Sequence, residues 1–243
     1  ASQGWKVPSS LRFVAVGGSK VSKKLLQAAH QAGIPAFEGY GLSECASVVS
    51  LNAVAAHSTG SCGRPLRGLE VTLEQGEIVV VGNAMLGYVN EAASWYPDRI
   101  ATGDLGSFDE AGFLHIEGRK KNLLISSYGR NISPEWVESE LLANPMLAEV
   151  ILLGDAKPYC VALIWLREDK SIGVTETNSR IDDWIRKVNV GLPDYAQIQA
   201  WHRLSEPLQQ NPTLMTDNGR PRREAIAHKF AKEVEDLYAQ ETN

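Results

Sequence analysis

The sequence is poor in cysteine: its 243 residues include three, Cys45, Cys62 and Cys160. An odd number at wide spacing gives neither a disulfide framework nor the paired cysteines of a zinc site. Unpaired cysteines of this kind are typical of a reducing compartment, and we predict a cytoplasmic protein.

Two other shortages exclude classes of partner. Lysine and arginine number 24 against 29 acidic residues, and no basic block occurs, so we expect no nucleic-acid partner. No apolar run approaches the ~20 residues needed to cross a bilayer, so we predict no transmembrane segment. The hydrophobic fraction of 44% is nevertheless sufficient for a folded core.

The amino-terminal part of the chain predicts a parallel α/β segment. Residues 11–16 form an apolar run that ends at a glycine pair, which is typical of a buried strand. Residues 22–32 carry apolar positions at helical spacing, and residues 34–40 predict a second strand. A strand–helix–strand order of this kind is typical of a parallel sheet.

Residues 60–118 change to short strands separated by glycine turns. Strand-like runs at residues 70–73 and 77–81 are followed by a predicted hairpin of residues 105–108 and 113–117. This spacing predicts a small antiparallel, β-barrel-like subdomain.

The rest of the chain predicts a compact α+β domain. Ser133 and Pro134 suit the start of a helix, with Glu135 and Glu138 at the positive end of its dipole. A single amphipathic helix is expected over residues 225–239.

A charged segment separates the two patterns. Residues 118–121 read Gly-Arg-Lys-Lys, a polar stretch between regions of different character. We predict a domain boundary here, with residues 1–118 and 119–243 as separate domains and a hinge near residues 119–121.

Two segments of the first domain carry acids suited to nucleotide chemistry. Residues 39–44 read Gly-Tyr-Gly-Leu-Ser-Glu directly after a strand, where the carboxylate of Glu44 can hold Mg²⁺ beside a nucleotide. Residues 101–104 form a predicted turn that presents Asp104, and such acids accept hydrogen bonds from ribose hydroxyls. Taken alone, each segment is also explained as a glycine turn with a surface acid.

Two loops of the second domain are candidates as well. Residues 127–134 predict a glycine loop that leads into a capped helix, and the alternative interpretation is a helix start without a function. Arg220, Arg222 and Arg223 lie on a predicted turn, which suits an anion. A solvated run of charge is the alternative interpretation of this turn.

Together these motifs resemble the adenylate-forming superfamily, which includes acyl-CoA synthetases, luciferase and the adenylation domains of peptide synthetases. Residues 40–44 are similar to its Tyr-Gly-x-Thr-Glu motif, with serine for threonine, and residues 17–19 are similar to its Gly-Gly-Ala element. Residues 87–90, 118–121 and 129–138 match further motifs in the family's order. The resemblance covers essentially the whole chain and implies the end of a large AMP-binding domain followed by a small mobile carboxy-terminal domain.

The resemblance implies a nucleotide site in the first domain. Glu44 would hold Mg²⁺ and act in catalysis, and Tyr40 would pack on adenine, with Gly18 and Gly41 close to the nucleotide. Asp104 would accept hydrogen bonds from the ribose. The implied cofactors are ATP, which becomes AMP, and Mg²⁺.

The resemblance also assigns residues around the predicted boundary. Arg119 would bind the ribose, and Lys121 would be the hinge about which the small domain rotates between half-reactions. Gly129 would lie on the loop that approaches the acceptor thiol, which for most of the family belongs to coenzyme A.

The sequence departs from the family pattern in two places. The Ser/Thr/Gly-rich phosphate loop is absent, and we expect it upstream of residue 1 in a missing half of the same enzyme, so that this chain alone lacks adenylating activity. The family's catalytic lysine in Gly-Lys-x-x-Arg is replaced by Arg220. Arginine keeps the positive charge that stabilises a pentavalent phosphate, but its reach differs.

We interpret the chain as part of a ligase that activates a carboxylic acid, with residues 131–134 favouring a fatty acid, and transfers it to coenzyme A. Its partners are then the small-molecule acid, ATP and coenzyme A. Two alternatives stay open: a nucleotide-binding pseudoenzyme or regulatory module, and an adenylation unit that loads a carrier protein.

Overall fold

The computed structural model describes residues 6–167 and 173–239. The chain divides into two compact units, Ala1–Lys121 and Asn122–Asn243, named unit 1 and unit 2. Within the two described ranges, no helix combines the length and the apolar character that crossing a bilayer requires. A hinge near residues 119–121 stays a prediction.

Unit 1 contains two four-stranded sheets and an α-helix in its described part. Its elements are β1 (Val14–Val16), α1 (Lys23–Gln31), β2 (Ala36–Tyr40), β3 (Ser50–Leu51), β4 (Arg64–Pro65), β5 (Glu70–Glu74), β6 (Glu77–Val81), β7 (Ile100–Phe108) and β8 (Leu114–Arg119). The first sheet has the strand order β1-β2-β3-β4, and the second has the order β5-β6-β7-β8.

The first sheet confirms the predicted strand–helix–strand segment, because β1 and β2 pair in parallel on either side of α1. The strand predicted at residues 11–16 is shorter than expected, and it is not buried. Its residues are half-buried or exposed, and it lies at the end of the sheet order. An edge strand has a neighbouring strand on one side only, which leaves it more open to solvent.

The second sheet confirms the predicted hairpins but corrects the barrel-like expectation. Its neighbouring strands all pair antiparallel, and β5 and β8 are the two ends of the strand order in the described residues. A barrel would require these end strands to pair with each other. The buried side chains of Ile78 and Val80 instead pack against Cys45 and Val49, so a loop of the same unit covers this face of an open sheet.

Unit 2 is an α/β arrangement around a central three-stranded sheet. Its elements are β9 (Leu124–Ile125), β10 (Asn131–Ile132), α2 (Pro134–Leu141), β11 (Leu147–Leu153), β12 (Cys160–Leu166), α3 (Val174–Asn189), β13 (Ile198–Arg203), α4 (Arg223–Lys229) and α5 (Ala231–Ala239). In the central sheet, β12 pairs antiparallel with β11 and parallel with β13. The short strands β9 and β10 pair antiparallel with each other.

The middle strand β12 is buried on both faces. Cys160, Ala162 and Ile164 belong to one core cluster, whose other members include residues of α2 and α3. Val161 and Leu163 belong to a second cluster with residues of α4 and α5. Because side chains alternate between the two faces of a strand, the continuous apolar run in β12 is what a sheet covered on both sides requires.

Two sequence expectations for unit 2 were incomplete. The strand β13 was not predicted, because its sequence Ile-Gln-Ala-Trp-His-Arg mixes polar and apolar residues. The single helix expected over residues 225–239 is two helices, with a break at Phe230, whose φ of −104° and ψ of 22° are not helical. Neither glycine nor proline marks this break, and Phe230 packs against the second core cluster.

Glu138 has a different role from the one its position in α2 suggests. It was expected to interact with the helix dipole, but its carboxylate is buried and accepts hydrogen bonds from Arg223 Nη1 and Nη2 at 2.8 and 2.7 Å. The amide of Leu152 donates to the same carboxylate at 2.8 Å. Ser133 does occupy the helix N-cap position, but its hydroxyl contacts Glu135 rather than a backbone amide.

Replacing Arg223 with methionine should destabilise unit 2 by about 3–5 kcal/mol, because the charge of Glu138 would remain buried without its partner. The free energy of unfolding can be measured with urea and tryptophan fluorescence. Removing both charges, in Glu138→Leu/Arg223→Met, should restore most of the stability. Arg186→Met is the matched control, since its ion pair with Asp183 is exposed.

The control substitution should cost no more than about 1 kcal/mol. An Arg223→Met variant as stable as this control would contradict a structural role for the buried pair.

Candidate active site

A tight loop after β2 presents Glu44. At Gly41, a Cβ atom would lie 1.9 Å from the carbonyl oxygen of Ser47, so only glycine fits between the two passing chain segments. Ala46 and Ser47 follow in the left-handed region, with φ values of 52° and 74°, and return the chain toward β3. Cys45, the residue after Glu44, points into the core and is fully buried, and desolvation raises the pKa of its thiol to about 11.

The segment that contains Asp104 is a bulge within β7 and not the predicted turn. Between the pairs Glu77–Leu105 and Val79–Ala101, one residue of β6 faces three residues of β7. Gly103 adopts a φ of 72° inside this bulge, a value that favours glycine. The register of the sheet, which cannot be read from a Thr-Gly-Asp tripeptide, decides this geometry.

Side chains replace the backbone hydrogen bonds that the bulge interrupts. The hydroxyl of Thr102 donates to the carbonyl oxygen of Ile78 at 2.9 Å, and the amide of Gly103 donates to Glu77 Oε1 at 2.9 Å. The hydrogen bond from Gly103 and the ammonium of Lys120 both lower the pKa of Glu77. These hydrogen bonds support the bulge next to Asp104, whose own amide donates to Thr102 Oγ1 at 3.1 Å.

Asp104 joins two of the other candidate residues. The phenol of Tyr40 donates to Asp104 Oδ2 at 2.7 Å, and Arg119 Nη1 donates to Asp104 Oδ1 at 3.0 Å. Asp104 and Arg119 are direct cross-strand partners on β7 and β8, whereas Tyr40 ends β2 of the other sheet. Burial, and then the charge of Asp104, raises the pKa of Tyr40 far above its ordinary value, so the phenol remains a donor.

Glu44 makes a contact of its own. The phenol of Tyr88 donates to Glu44 Oε1 at 2.7 Å. This hydrogen bond raises the pKa of Tyr88, and the guanidinium of Arg119 acts on the same phenol in the opposite direction. Glu44 follows Tyr40 in the Tyr-Gly-Leu-Ser-Glu segment, and the phenol of Tyr40 bonds Asp104, so both acids lie near this segment of unit 1.

The acidic side chains of the site suit a magnesium ion that binds together with a nucleotide. The described residues contain no group of three or more histidine, cysteine or acidic side chains placed to hold a metal. A Mg²⁺ ion that accompanies a nucleotide needs one or two carboxylates, with phosphate oxygens and water as its other ligands. The single carboxylate of Glu44 matches that requirement. The described residues contain no metal site made of protein ligands alone.

The other candidate residues predicted from the sequence lie in different parts of the two units. Gly18 follows β1 with a φ of 84°, and Gly129 lies in the turn between β9 and β10 with a φ of 73°. Lys121 is exposed in a short 3₁₀ turn, Lys120–Asn122. Gly129 belongs to unit 2, whereas Gly18 and Lys121 belong to unit 1.

Arg220 lies at the end of a small hairpin in unit 2. The amide of Thr216 donates to the carbonyl oxygen of Arg220 at 2.8 Å, and the amide of Arg220 donates to Thr216 Oγ1 at 3.0 Å. Gly219, with a φ of 71°, makes the turn. The backbone of Arg220 is thus fixed, while its side chain is exposed.

The three arginines near residue 220 do not form the expected cluster on one turn. Arg222 is exposed and donates from Nε to the carbonyl oxygen of Met215 at 3.2 Å. Arg223 is the buried partner of Glu138, and its side chain is 12% exposed. Arg220 therefore differs from Arg223, whose guanidinium has a structural partner.

The contacts that two residues make in these networks were not predicted from the sequence. Tyr88 lies in a segment that matches a family motif, but a contact over 44 positions to Glu44 depends on the folded chain. Glu138 contacts Arg223 over 85 positions, and a charge inside an amphipathic helix is usually solvated. For Glu138, its position next to the apolar, buried Val137 was the feature of the sequence that could have indicated burial.

The fold of the described residues is that of adenylate-forming enzymes. It is similar to the structure of O-succinylbenzoate coenzyme A synthetase (MenE) from Bacillus subtilis, solved in complex with ATP and magnesium ion, with a TM-score of 0.65 and 30% identity. Residues 121–242 match the AMP-binding enzyme C-terminal domain, and residues 2–89 match the AMP-binding enzyme family. The chain therefore belongs to the AMP-binding, adenylate-forming enzyme family.

Curated relatives agree with this assignment. The chain is 29% identical over 258 residues to long-chain-fatty-acid–CoA ligase FadD15 of Mycobacterium bovis, a match that covers 95% of the chain and 42% of the relative. It is 36% identical over 166 residues to 2-succinylbenzoate–CoA ligase of Bacillus subtilis, covering 61% of the chain and 34% of the relative. The structural match covers 84% of the chain and 45% of the solved protein. The chain thus spans less than half the length of these relatives.

Replacing Gly41 with alanine should destabilise unit 1 by about 3 kcal/mol, because the new Cβ would overlap the backbone of Ser47 and no flexible side chain is present to move away. The matched control is Gly18→Ala. At that glycine a Cβ meets nothing within 4 Å, and only the cost of the left-handed backbone, about 1–2 kcal/mol, applies. Urea unfolding compares the two variants, and equal losses would contradict the close approach at Gly41.

Proposed function

We propose that the chain is the carboxy-terminal portion of an AMP-forming acid–thiol ligase, which converts a carboxylic acid and ATP into an acyl-adenylate and then forms a thioester with coenzyme A. The observation that carries the proposal is the carboxylate of Asp104, held by Arg119 and by Tyr40, which begins the segment that ends at Glu44. Asp104 suits the ribose of a nucleotide, and Glu44 suits the magnesium ion on its phosphates.

Asp104 is proposed to bind the ribose. A carboxylate can accept about four hydrogen bonds, so ribose hydroxyls can bind while Tyr40 and Arg119 keep their contacts. Arg119 would hold the carboxylate in place and take part in the same contact. The ring of Tyr40 would offer its face to adenine, with Gly18 and Gly41 allowing close approach of the nucleotide.

Glu44 is proposed to hold Mg²⁺ on the phosphates of ATP. A bound Mg²⁺ would neutralise phosphate charge and favour departure of pyrophosphate. The solved relative from Bacillus subtilis contains ATP and a magnesium ion, which supports this proposal. The chain's own contribution is to place the carboxylate on a loop that is closely packed at Gly41 and anchored by the buried Cys45.

The proposed roles in unit 2 concern the two half-reactions. Arg220, with a fixed backbone and an exposed guanidinium, would supply positive charge to the phosphate during adenylation. Gly129 would lie on the loop that serves the acceptor thiol, and Lys121 would be the hinge between the half-reactions.

The acid is proposed to be a fatty acid. The relative that matches 95% of the chain is a long-chain-fatty-acid–CoA ligase. The relatives that act on 2-succinylbenzoate match a shorter part of the chain, at higher identity. The full-length enzyme should therefore be assayed with fatty acids of different chain length and with 2-succinylbenzoate.

Acid-dependent exchange of pyrophosphate into ATP, with formation of acyl-CoA when coenzyme A is added, is the expected result for the full-length protein. Exchange without acyl-CoA would instead favour an adenylation unit that loads a carrier protein. Nucleotide binding without exchange would favour a pseudoenzyme and would contradict the proposed activity.

In the full-length enzyme, Arg220→Ala should lower pyrophosphate exchange by about two to three orders of magnitude, the usual effect of removing one preorganised transition-state donor. Arg220→Lys should retain substantial activity, because it restores the residue that the family uses. Thioester formation from preformed adenylate should change little in both variants.

Arg222→Ala is the matched control, since this exposed arginine is two residues away and has no proposed catalytic role. Exchange at the wild-type rate in Arg220→Ala would exclude the catalytic role, and an equal loss in both alanine variants would indicate only a general effect of charge.

A further inference from the structure

A short segment that the proposed roles do not use lies against Glu44. Tyr88, in the Gly-Tyr-x-Asn motif of residues 87–90, donates its phenol hydrogen to Glu44 Oε1 at 2.7 Å. The amide of Met85 donates to the backbone carbonyl oxygen of Glu44 at 2.8 Å. The same segment thus contacts both the main chain and the side chain of the proposed magnesium ligand.

The main chain of Tyr88 is held from both sides. Its amide donates to Ser94 Oγ at 2.8 Å, and its carbonyl oxygen accepts a hydrogen bond from Trp95 Nε1 at 3.0 Å. The amide of Tyr96 donates to the carbonyl oxygen of Leu86 at 2.8 Å and closes the loop. Because these bonds fix the backbone of Tyr88, they restrict the direction in which its phenol points.

Gly87 allows the indole of Trp95 to take this position. Its φ is 144°, and a Cβ atom there would lie 2.5 Å from Trp95 Cδ1 and 2.9 Å from Trp95 Cα. Any larger residue would push the indole away from the chain. The loop is therefore built around the contact between Trp95 and the residues at 87 and 88.

We propose that Tyr88 is a positioning residue, which orients the carboxylate of Glu44 for magnesium–ATP, and that Trp95 holds Tyr88 in place. The inference rests on the proposed function, because it takes Glu44 as the ligand of Mg²⁺. Hydrogen bonds from outside the coordination shell orient ligating carboxylates, and their loss usually costs about 10–100-fold in metal affinity or activity. Tyr88 matches that arrangement, since a fixed loop aims its donor at one carboxylate oxygen.

Tyr88→Phe in the full-length enzyme tests the inference, because it removes the hydroxyl and keeps the ring. The Mg²⁺ concentration that gives half-maximal pyrophosphate exchange should rise about ten-fold, while the rate at saturating Mg²⁺ stays close to that of the wild type. Mn²⁺ binding, measured by electron paramagnetic resonance with a non-hydrolysable ATP analogue, should weaken by a similar factor. Trp95→Phe should shift both quantities in the same direction by less.

Tyr96→Phe is the matched control, because this tyrosine belongs to the same loop and is 73% exposed. It should leave both metal measurements unchanged. Adding Tyr88→Phe to Glu44→Gln should produce no further loss beyond that of Glu44→Gln, since a residue that acts through Glu44 has no effect once that carboxylate is gone.

An unchanged Mg²⁺ requirement and an unchanged Mn²⁺ affinity in Tyr88→Phe would overturn the inference. A lower Mg²⁺ requirement would overturn it too, because it would show that the phenol competes with the metal for Glu44. If the wild-type full-length protein shows no pyrophosphate exchange, the proposed activity fails, while the Mn²⁺ titrations still decide the role of Tyr88.

Discussion

The candidate site depends on the hydrogen bonds that a single carboxylate accepts. Asp104 is buried and accepts from Tyr40 on one sheet and from Arg119 on the other, so it connects the two sheets of unit 1. A buried charge is tolerated only when donors replace the water it has lost. Tyr40 also packs against the core cluster that contains Cys45 and Val49, so the hydrogen bond ties the position of Asp104 to the core of this unit.

Irregular backbone gives this carboxylate its place. A regular strand would have aimed alternate side chains at fixed faces, whereas the bulge around Gly103 adds residues to β7 and changes that direction. The interrupted hydrogen bonds are recovered by Thr102 and Glu77, which keeps the cost of the irregularity low. Glu44 is presented in a comparable way, by a loop whose chain segments approach closely at Gly41.

In unit 2, a buried ion pair in the core lies close in sequence to an exposed candidate residue, Arg220. The sheet of this unit is covered on both faces, and the buried pair of Glu138 and Arg223 joins α2 to the start of α4. Arg220 precedes this anchor by three residues and is fixed through its backbone, which leaves its guanidinium exposed. An arginine that pairs inside the core and one that faces solvent have different chemistry, although a composition or charge pattern counts them alike.

The sequence by itself determined the family, the α/β character and most strands and helices. Those features depend on local spacing: apolar periodicity marks β2 and β12, and the glycine-containing motifs keep their order along the chain. Only the tertiary structure decided that Asp104 lies in a bulge, that the second sheet is open, that Phe230 divides a helix and that Tyr88 meets Glu44. Each of these depends on strand register or on packing between residues far apart in the chain, and neither is encoded in a short window of sequence.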